Sequence, residues 1–538
     1  MRCRPTAGQI MAERGIGITE GHEADTTEKR PVLCRLHLRN LTGPVNLVGL
    51  SEVFSRLEGV SILGGNCAKA GADGFSYFAS GPREVFEFRA GEEAPLAKLE
   101  EALGRYRLNS EDLRRLWNEI RCDGQLPGCV FCGGWIGYFG YELGRYIERV
   151  PERAVDDLQM PLIRLCFYDR LICVDHIAKR CRLMALEIAG DSERVEDKLD
   201  GLERLASEAE RVSVRRLAAG RLERPDFSQV RCNMEKDYYL ETVEKIRRYI
   251  YDGDVYQVNF SQRFESAFGG RGVELFHWQN IYNPSGYAAY IDGGEFQIVS
   301  ASPEMFVTIC DGVISTKPIK GTRRRLDENG AGGAAARMVN YRNFNELARS
   351  EKEQAELNMI IDLERNDLGR ICEYGTIKVV QPRTIESYPT VFHAVATIEG
   401  KQREEISFCD VLRAMFPGGS ITGAPKVASM EIIDETEPTA RGVYTGGIGY
   451  IGIEGTVCLN IAIRTIIVKA GKAYAQVGGG IVADSDAEAE WEETLTKARA
   501  LLAGIRSVQQ ARNICRISSK DEARTWGAGT KETQITER

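Results

Sequence analysis

The chain has 538 residues, 43% of them apolar and 28% charged, with a net charge of −8, so it is globular in composition, long enough for a large core and without global attraction for nucleic acid. No run of ~18 apolar residues occurs, and residues 1–30 carry Arg, Glu, Asp and His where a secretory signal needs an apolar stretch. With fifteen scattered cysteines and no disulfide-scaffold density, this predicts a cytoplasmic protein with neither membrane nor nucleic acid as partner.

Residues 1–30 and 506–538 are polar and aperiodic, which predicts flexible extensions, with Met11 a second candidate start. Between them two regions, 31–215 and 216–505, meet at an Arg-rich stretch that runs into Pro225. The first contains Cys122, Cys129 and Cys132, a cluster lacking a fourth ligand at zinc-site spacing and read as buried thiols. It also contains GGWIGYFGYELGRYIE at 133–148, read as a packing element.

The second region opens on a helix in which Tyr239, Val243, Ile246 and Ile250 recur at helical spacing up to Asp252 and Gly253, before the extended run VYQVNFSQRF. YAAYI, FQIVSA, MFVTI and VISTKPIKGT follow between Gly and Pro turns and read as antiparallel strands. Helices are expected at about 350–367, from PKVASMEIIDE and at about 486–504, and strands at 442–452, 457–468 and 472–480. The fold class is α+β without internal repeat.

Several segments carry residues able to do chemistry. FPGGSITGAPK at 416–426 lacks the Gly-Lys-Ser/Thr ending of a nucleotide loop and reads as a flexible loop, with Ser420 and Thr422 near a helix start as caps or as a seat for a carboxylate. Glu353 with Glu356, and Glu490 with Glu493, are i,i+3 pairs on one helix face. Each pair alone describes a solvated face; across a cleft, one carboxylate from each could hold Mg2+ together with water and substrate oxygens. Lys497, a turn past Glu493, is a salt-bridge partner or a substrate contact. The glycines of GGGIVADSD, from Gly478 to Gly480, suit a tight turn or the close approach of an anion.

Arg464 stands among apolar residues in NIAIRTIIV and needs a carboxylate if it points inward. Lys317 and Lys320 precede Arg323, Arg324 and Arg325; neighbouring cations and burial favour an uncharged, nucleophilic lysine, although a basic turn has the same composition. Glu304, after the strand FQIVS, is a strand-end residue or a partly buried general acid.

Taken together, YQVNFSQRF, SPEMF, PIKGT, KEQAELNMIIDLERNDLGR, FPGGSITGAPK, AIRT and GGGIVADSDAEAEWEETLTKA resemble, in this order, the chorismate-utilising enzymes. That family comprises the large subunits of anthranilate and aminodeoxychorismate synthases, with isochorismate and salicylate synthases as relatives. GGWIGYFGYELGR is similar to the amino-terminal part of the two aminating subunits, which extends the resemblance to about 31–505. It implies an anthranilate synthase component I-like fold, with largely antiparallel sheets forming a β-sandwich core covered by helices.

The resemblance also implies that Glu356 and Glu493 hold Mg2+, with Glu353 and Glu490 close by, and that the metal takes the ring carboxylate of chorismate. Tyr444, Arg464, Gly478, Gly480 and Lys497 would hold the substrate's carboxylates, with Thr322 under the ring, His393 beside it, and Glu304 as the acid that helps the 4-hydroxyl leave. Isochorismate and salicylate synthases use a water-activating lysine where this chain has Gln257. Anthranilate synthases have PIAGT where this chain has PIKGT, and in aminodeoxychorismate synthases that lysine, here Lys320, is the nucleophile.

The resemblance therefore implies amination at C4 on the route to p-aminobenzoate and folate, through a Lys320 adduct. A separate glutamine amidotransferase subunit would supply the ammonia, since no glutaminase motif is present in this sequence. Met305, the order AELN and the Ala/Gly-rich stretch 330–337 depart from the family pattern without removing a proposed catalytic group. The Leu-Leu-Glu-Ser element linked to tryptophan binding in anthranilate synthases is not evident near SILGGN at 61–66, which argues against feedback control. The rival readings are anthranilate synthase component I and a non-catalytic chorismate-binding regulatory subunit.

Overall fold

The computed structural model describes residues 31–43, 45–65, 74–112, 114, 130–212, 230–328 and 333–527, with 513–527 as helix backbone alone. The leading extension with Met11, Cys122 and Cys129, the joint at 213–229 and the tail beyond 527 lie outside these residues. Cys132 is buried, as a structural thiol should be.

Among the described residues two sheets carry the fold, one of 13 strands and one of 10. Their ladders are antiparallel except that of Val32–Leu41 with Tyr106–Leu108. One core lies between the sheets, where rings meet from both sides, as in Tyr77 against Tyr450 and Tyr138 against Phe296. A second core covers the outer face of the larger sheet with the helices Leu47–Phe54, Val195–Arg211, Gly272–Tyr282 and Ala487–Gly527. This is the expected α+β sandwich.

The regions 31–215 and 216–505 are not separate bodies, because each contributes strands to both sheets. Tyr287–Asp292 pairs with Ser61–Leu63 in the larger sheet, and Gly447–Gly452 pairs with Gly134–Phe139 in the smaller. GGWIGYFGYELGR is thus a fully buried central strand followed by a 3-10 turn, Tyr141–Tyr146.

Several elements match their sequence signals and several break them. Tyr239, Val243 and Ile246 face the core from the helix Lys236–Asp252, which stops at Gly253 with φ +86°. VISTKPIKGT splits at Pro318, which has no N–H for a ladder, into Val313–Lys317 and Ile319–Arg324. The expected strand 457–468 also divides: Val457–Ile461 belongs to the smaller sheet and Thr465–Lys469 to the larger, and the chain crosses between them at Ala462–Arg464. A similar crossing separates Phe296–Ser302 from Met305–Cys310 at Pro303 and Glu304. The two crossings are stitched together by Ile461 N–H to the Glu304 carbonyl (3.0 Å) and Ala301 N–H to the Arg464 carbonyl (3.1 Å).

The last helix runs on to Gly527, past residue 505 where a flexible tail is expected. Ile505 and Val508 continue its apolar face into the outer core, and Arg512 pairs with Glu274, so its polar composition hides a docked turn.

Lys198, 1% exposed, pins the helix Val195–Arg211 to the larger sheet through Asp169 (2.7 Å), Asp191 (2.8 Å) and the Leu186 carbonyl (3.0 Å). Lys198→Met leaves two anions without their shared cation, and the expected loss is about 3–5 kcal/mol by urea denaturation. Breaking the exposed Arg194–Asp197 pair should leave the urea midpoint nearly unchanged, because water screens the two charges.

Candidate active site

The two crossings between sheets place polar groups inside the sandwich edge. Glu304, on the first, is 4% exposed and accepts a hydrogen bond from the Ile319 N–H (3.3 Å). Burial pushes its carboxyl above the usual carboxylate range, against the opposing effects of the Ser420 hydroxyl, Lys320 and Arg464.

Arg464, on the second crossing, has φ +50°, a left-handed backbone that is strained for a side chain of this size. Its guanidinium makes no ion pair or hydrogen bond among the described residues, although Glu304 and Tyr388 lie in its field. A partly buried cation with free donors is a ready seat for a carboxylate.

Lys320 sits on the strand Ile319–Arg324, partly buried, with Nζ donating to the Ser420 carbonyl at 3.3 Å. Burial lowers its pKa and Lys497 adds to this, while Glu356, Glu304 and Glu493 oppose it. The sequence suggested burial and neighbouring cations as causes; burial is the larger one, and the cation is Lys497 rather than the arginines that follow in sequence. Arg323 is bound to Glu353 (2.7 Å), and Arg325 donates to the Tyr388 carbonyl (3.0 Å). Successive strand residues point to opposite faces, so proximity in sequence is not proximity of charge.

The helices Glu351–Gly369 and Ala487–Gly527 each place a carboxylate in the electrostatic field of Lys320, without an ion pair to it among the described residues. Glu356 and Glu493 both act on Lys320, whereas the other member of each pair is engaged locally. Glu353 holds Arg323, and Glu490, which burial shifts upward, accepts from the Ser485 hydroxyl (2.8 Å). Lys497 bonds the Gly478 carbonyl and Glu493, each at 2.8 Å, and its charge keeps the Glu493 carboxyl low.

Among the described residues no group of three or more His, Cys, Asp or Glu is gathered for a metal. The available donors are the oxygens of Glu356, which makes no hydrogen bond or ion pair among the described residues, and of Glu493. Two carboxylates that leave the remaining positions to water and substrate suit a hard cation such as Mg2+.

Thr322 and His393 face each other across paired strands, with Thr322 Oγ1 and His393 Nδ1 2.8 Å apart. His393 is 1% exposed, and burial, with Arg464 nearby, lowers its pKa to about 3, so the ring is neutral with Nε2 unpartnered. It can donate or accept a hydrogen bond but cannot act as a cationic acid near neutral pH.

Gly478 and Gly480 belong to the strand Lys472–Ile481 rather than to a turn. A Cβ at Gly478 would lie 2.7 Å from the Phe260 carbonyl, and one at Gly480 3.1 Å from the Gln257 amide carbon. Gln257 itself is fully buried with both amide atoms unpartnered. Tyr444 is 5% exposed and is tied to the second crossing by the next residue, whose N–H bonds the Ala462 carbonyl (2.9 Å).

FPGGSITGAPK, expected as a flexible loop, is instead a strap, buried from Phe416 to Ala424, that meets Lys320 and Glu304 through Ser420. Its carbonyls are taken by Arg441 at Ile421 (3.0 Å), by the Asn259 N–H at Thr422 (2.7 Å) and by the Tyr256 N–H at Ala424 (2.6 Å). Arg441 is itself buried and paired with Glu437 (2.6 Å), while Glu142 accepts from the Arg441 and Gly442 amides. Sequence reasoning missed this brace. Its only signals were an i,i+4 Glu and Arg and a lone Glu in an aromatic run.

Leu63 and Gly64 of SILGGN line a separate pocket between the sheets, together with Tyr77, Tyr287, Tyr450 and Asn460 among others. No helix among the described residues is long and apolar enough to cross a membrane.

Residues 67–503 match the chorismate binding enzyme family. Aminodeoxychorismate synthase component 1 of Bacillus subtilis is 39% identical over 375 residues, which is 69% of this chain and 76% of that protein. Anthranilate synthase component 1 of Acetivibrio thermocellus is 37% identical over 387 residues, 71% of this chain and 77% of that one. In structure, anthranilate synthase component I from Streptococcus pneumoniae superposes with TM-score 0.64 at 31% identity, over 80% of this chain and 92% of its own. The menaquinone-specific isochorismate synthase from Escherichia coli has TM-score 0.60 at 16% identity, over 90% and 96%, a likeness of fold alone.

Proposed function

Because the chain belongs to the chorismate-binding enzyme family, we propose that it replaces the 4-hydroxyl of chorismate with an amino group, giving 4-amino-4-deoxychorismate. A separate glutamine amidotransferase subunit would deliver the ammonia. Relatives named for two different aminations have similar identity to this chain, so the choice rests on Lys320, a primary amine whose pKa is lowered by burial beside the raised carboxyl of Glu304.

The residues divide the work as follows. Arg464, Lys497 and the strand edge at Gly478 and Gly480 offer donors and space for the substrate's carboxylates. Glu356 and Glu493 would hold Mg2+, which when bound supplies positive charge for the ring carboxylate. Thr322 and neutral His393 line the ring, and Tyr444 lies by the second crossing.

Uncharged Lys320 attacks ring C2, and the C2–N bond forms as the C4–O bond breaks. Glu304 gives its proton to the departing hydroxyl, which leaves as water, and the carboxylate recovers a proton from the new C2 ammonium. Ammonia then attacks C4, the C2–N bond breaks, and Lys320 leaves as an amine after taking the surplus proton. Chorismate and ammonia thus become 4-amino-4-deoxychorismate and water.

The test is product identity. Purified chain with chorismate, Mg2+ and ammonium is expected to form 4-amino-4-deoxychorismate, which an added lyase converts to p-aminobenzoate. Fluorescent anthranilate as the main product, or binding without turnover, would refute the reading. A chelator is expected to remove the activity and Mg2+ to restore it; turnover that persists in the chelator would contradict the role given to Glu356 and Glu493.

A further inference from the structure

The strap Phe416–Pro425 is fastened from behind by the helix Glu351–Gly369. At its ends Lys426 bonds Asp367 (2.6 Å) and the Met415 carbonyl (2.8 Å). At its middle Gly419 lies against Leu363 and Glu364, so close that a Cβ there would stand 2.3 Å from Leu363 Cδ2 and 3.5 Å from Glu364 Oε1. Glu364 is 3% exposed, its carboxyl faces the Gly419 N–H, and its Oε2 has no partner. The next residue, Ser420, touches both reacting groups: its carbonyl accepts from Lys320 and its hydroxyl faces Glu304.

We propose that Glu364 is a positioning residue, holding Gly419 so that Ser420 meets Lys320 and Glu304 in register. The proposal rests on the reading of those two residues as the reacting pair. Glu364 does this as a neutral carboxyl. Burial first, then the charge of Asp367 on its own helix, pushes it up to about 8, with Lys426 opposing from the helix Lys426–Thr436 and Glu304 adding from the crossing. Burial shifts Asp367 upward as well, but its bond to Lys426 opposes that shift, whereas Glu364 has no cation bonded to it among the described residues and is the carboxyl of the two that holds the proton more readily.

Two variants and three readouts test this. Glu364→Leu removes the acceptor for Gly419 and is expected to lower kcat about tenfold or more with KM for chorismate within about threefold. Glu364→Gln keeps a neutral acceptor and is expected to restore kcat to within about threefold of the parent chain. Rescue by Gln also excludes Glu364 as a proton donor.

The infrared spectrum of the parent minus that of the Gln chain at neutral pH should show one protonated-carboxyl band, belonging to Glu364, whether or not chorismate is turned over; the bands of other buried carboxyls such as Glu304 cancel. The folded-state value of Glu364 lies above its unfolded one. Its contribution to stability is therefore complete below about 4.5 and is lost as pH rises towards about 8, so Tm of the parent should fall relative to the Gln chain across that window.

A Leu variant with unchanged kcat, a Gln variant as impaired as Leu, or no protonated-carboxyl band in the difference spectrum would overturn the proposal. Failure of the parent chain to aminate chorismate, with the infrared band present, would instead overturn the proposed function.

Discussion

Lys320→Ala is expected to lower formation of 4-amino-4-deoxychorismate by about 10³-fold or more, while chorismate still binds within about threefold of the parent affinity. The loss corresponds to about 4 kcal/mol of transition-state stabilisation. The asymmetry follows from the site. Substrate carboxylates have Arg464, Lys497 and the metal carboxylates to hold them, none of which is bonded to Lys320. Among the described residues the Nζ of Lys320 has a single hydrogen bond, to the Ser420 carbonyl. Removing it takes away a bond made only during the reaction, which lowers kcat and leaves KM nearly unchanged. Stopped-flow binding and product chromatography on the same variant separate the two quantities; parental product formation would exclude the covalent route.

Glu304→Gln is expected to reduce kcat by about 10²–10⁴-fold, the usual range for loss of a positioned acid. Glutamine keeps the shape and the bond from Ile319 but has no proton to give to the departing hydroxyl. The raised pKa of Glu304 and the lowered pKa of Lys320 arise from the same burial. Burial disfavours charge on both, so acid and amine are driven together towards the neutral forms that the first step needs. A Gln variant with kcat within about threefold of the parent would remove Glu304 from the chemistry.

The elements with local signals were legible in the sequence. Helical spacing from Tyr239 to Ile250 gave its helix, and period-two strands such as Tyr287–Asp292 and Phe296–Ser302 fell where alternation placed them. What could not be read was decided by the sheets. Nothing local to NIAIRTIIV says that the chain leaves one sheet for the other at Arg464, yet that crossing, beside the one at Glu304, is what builds the site.

The site residues themselves came from resemblance, and geometry then divided them. Glu356 and Glu493 act on Lys320 through their charge, while Glu353 and Glu490 are spent on Arg323 and Ser485. FPGGSITGAPK looked flexible because its glycines have no side chains to show burial. Its order comes from Arg441, Asn259 and the helix behind it, all distant in sequence.

The central claim is that the amine at position 320 becomes bonded to the ring. Mass spectrometry of the intact chain, quenched after mixing with chorismate and Mg2+ without ammonium, tests it most directly. The account predicts a mass increase equal to chorismate less one water, located to the peptide containing Lys320 and absent from Lys320→Ala. Unmodified protein under conditions where added ammonium gives rapid turnover would contradict it.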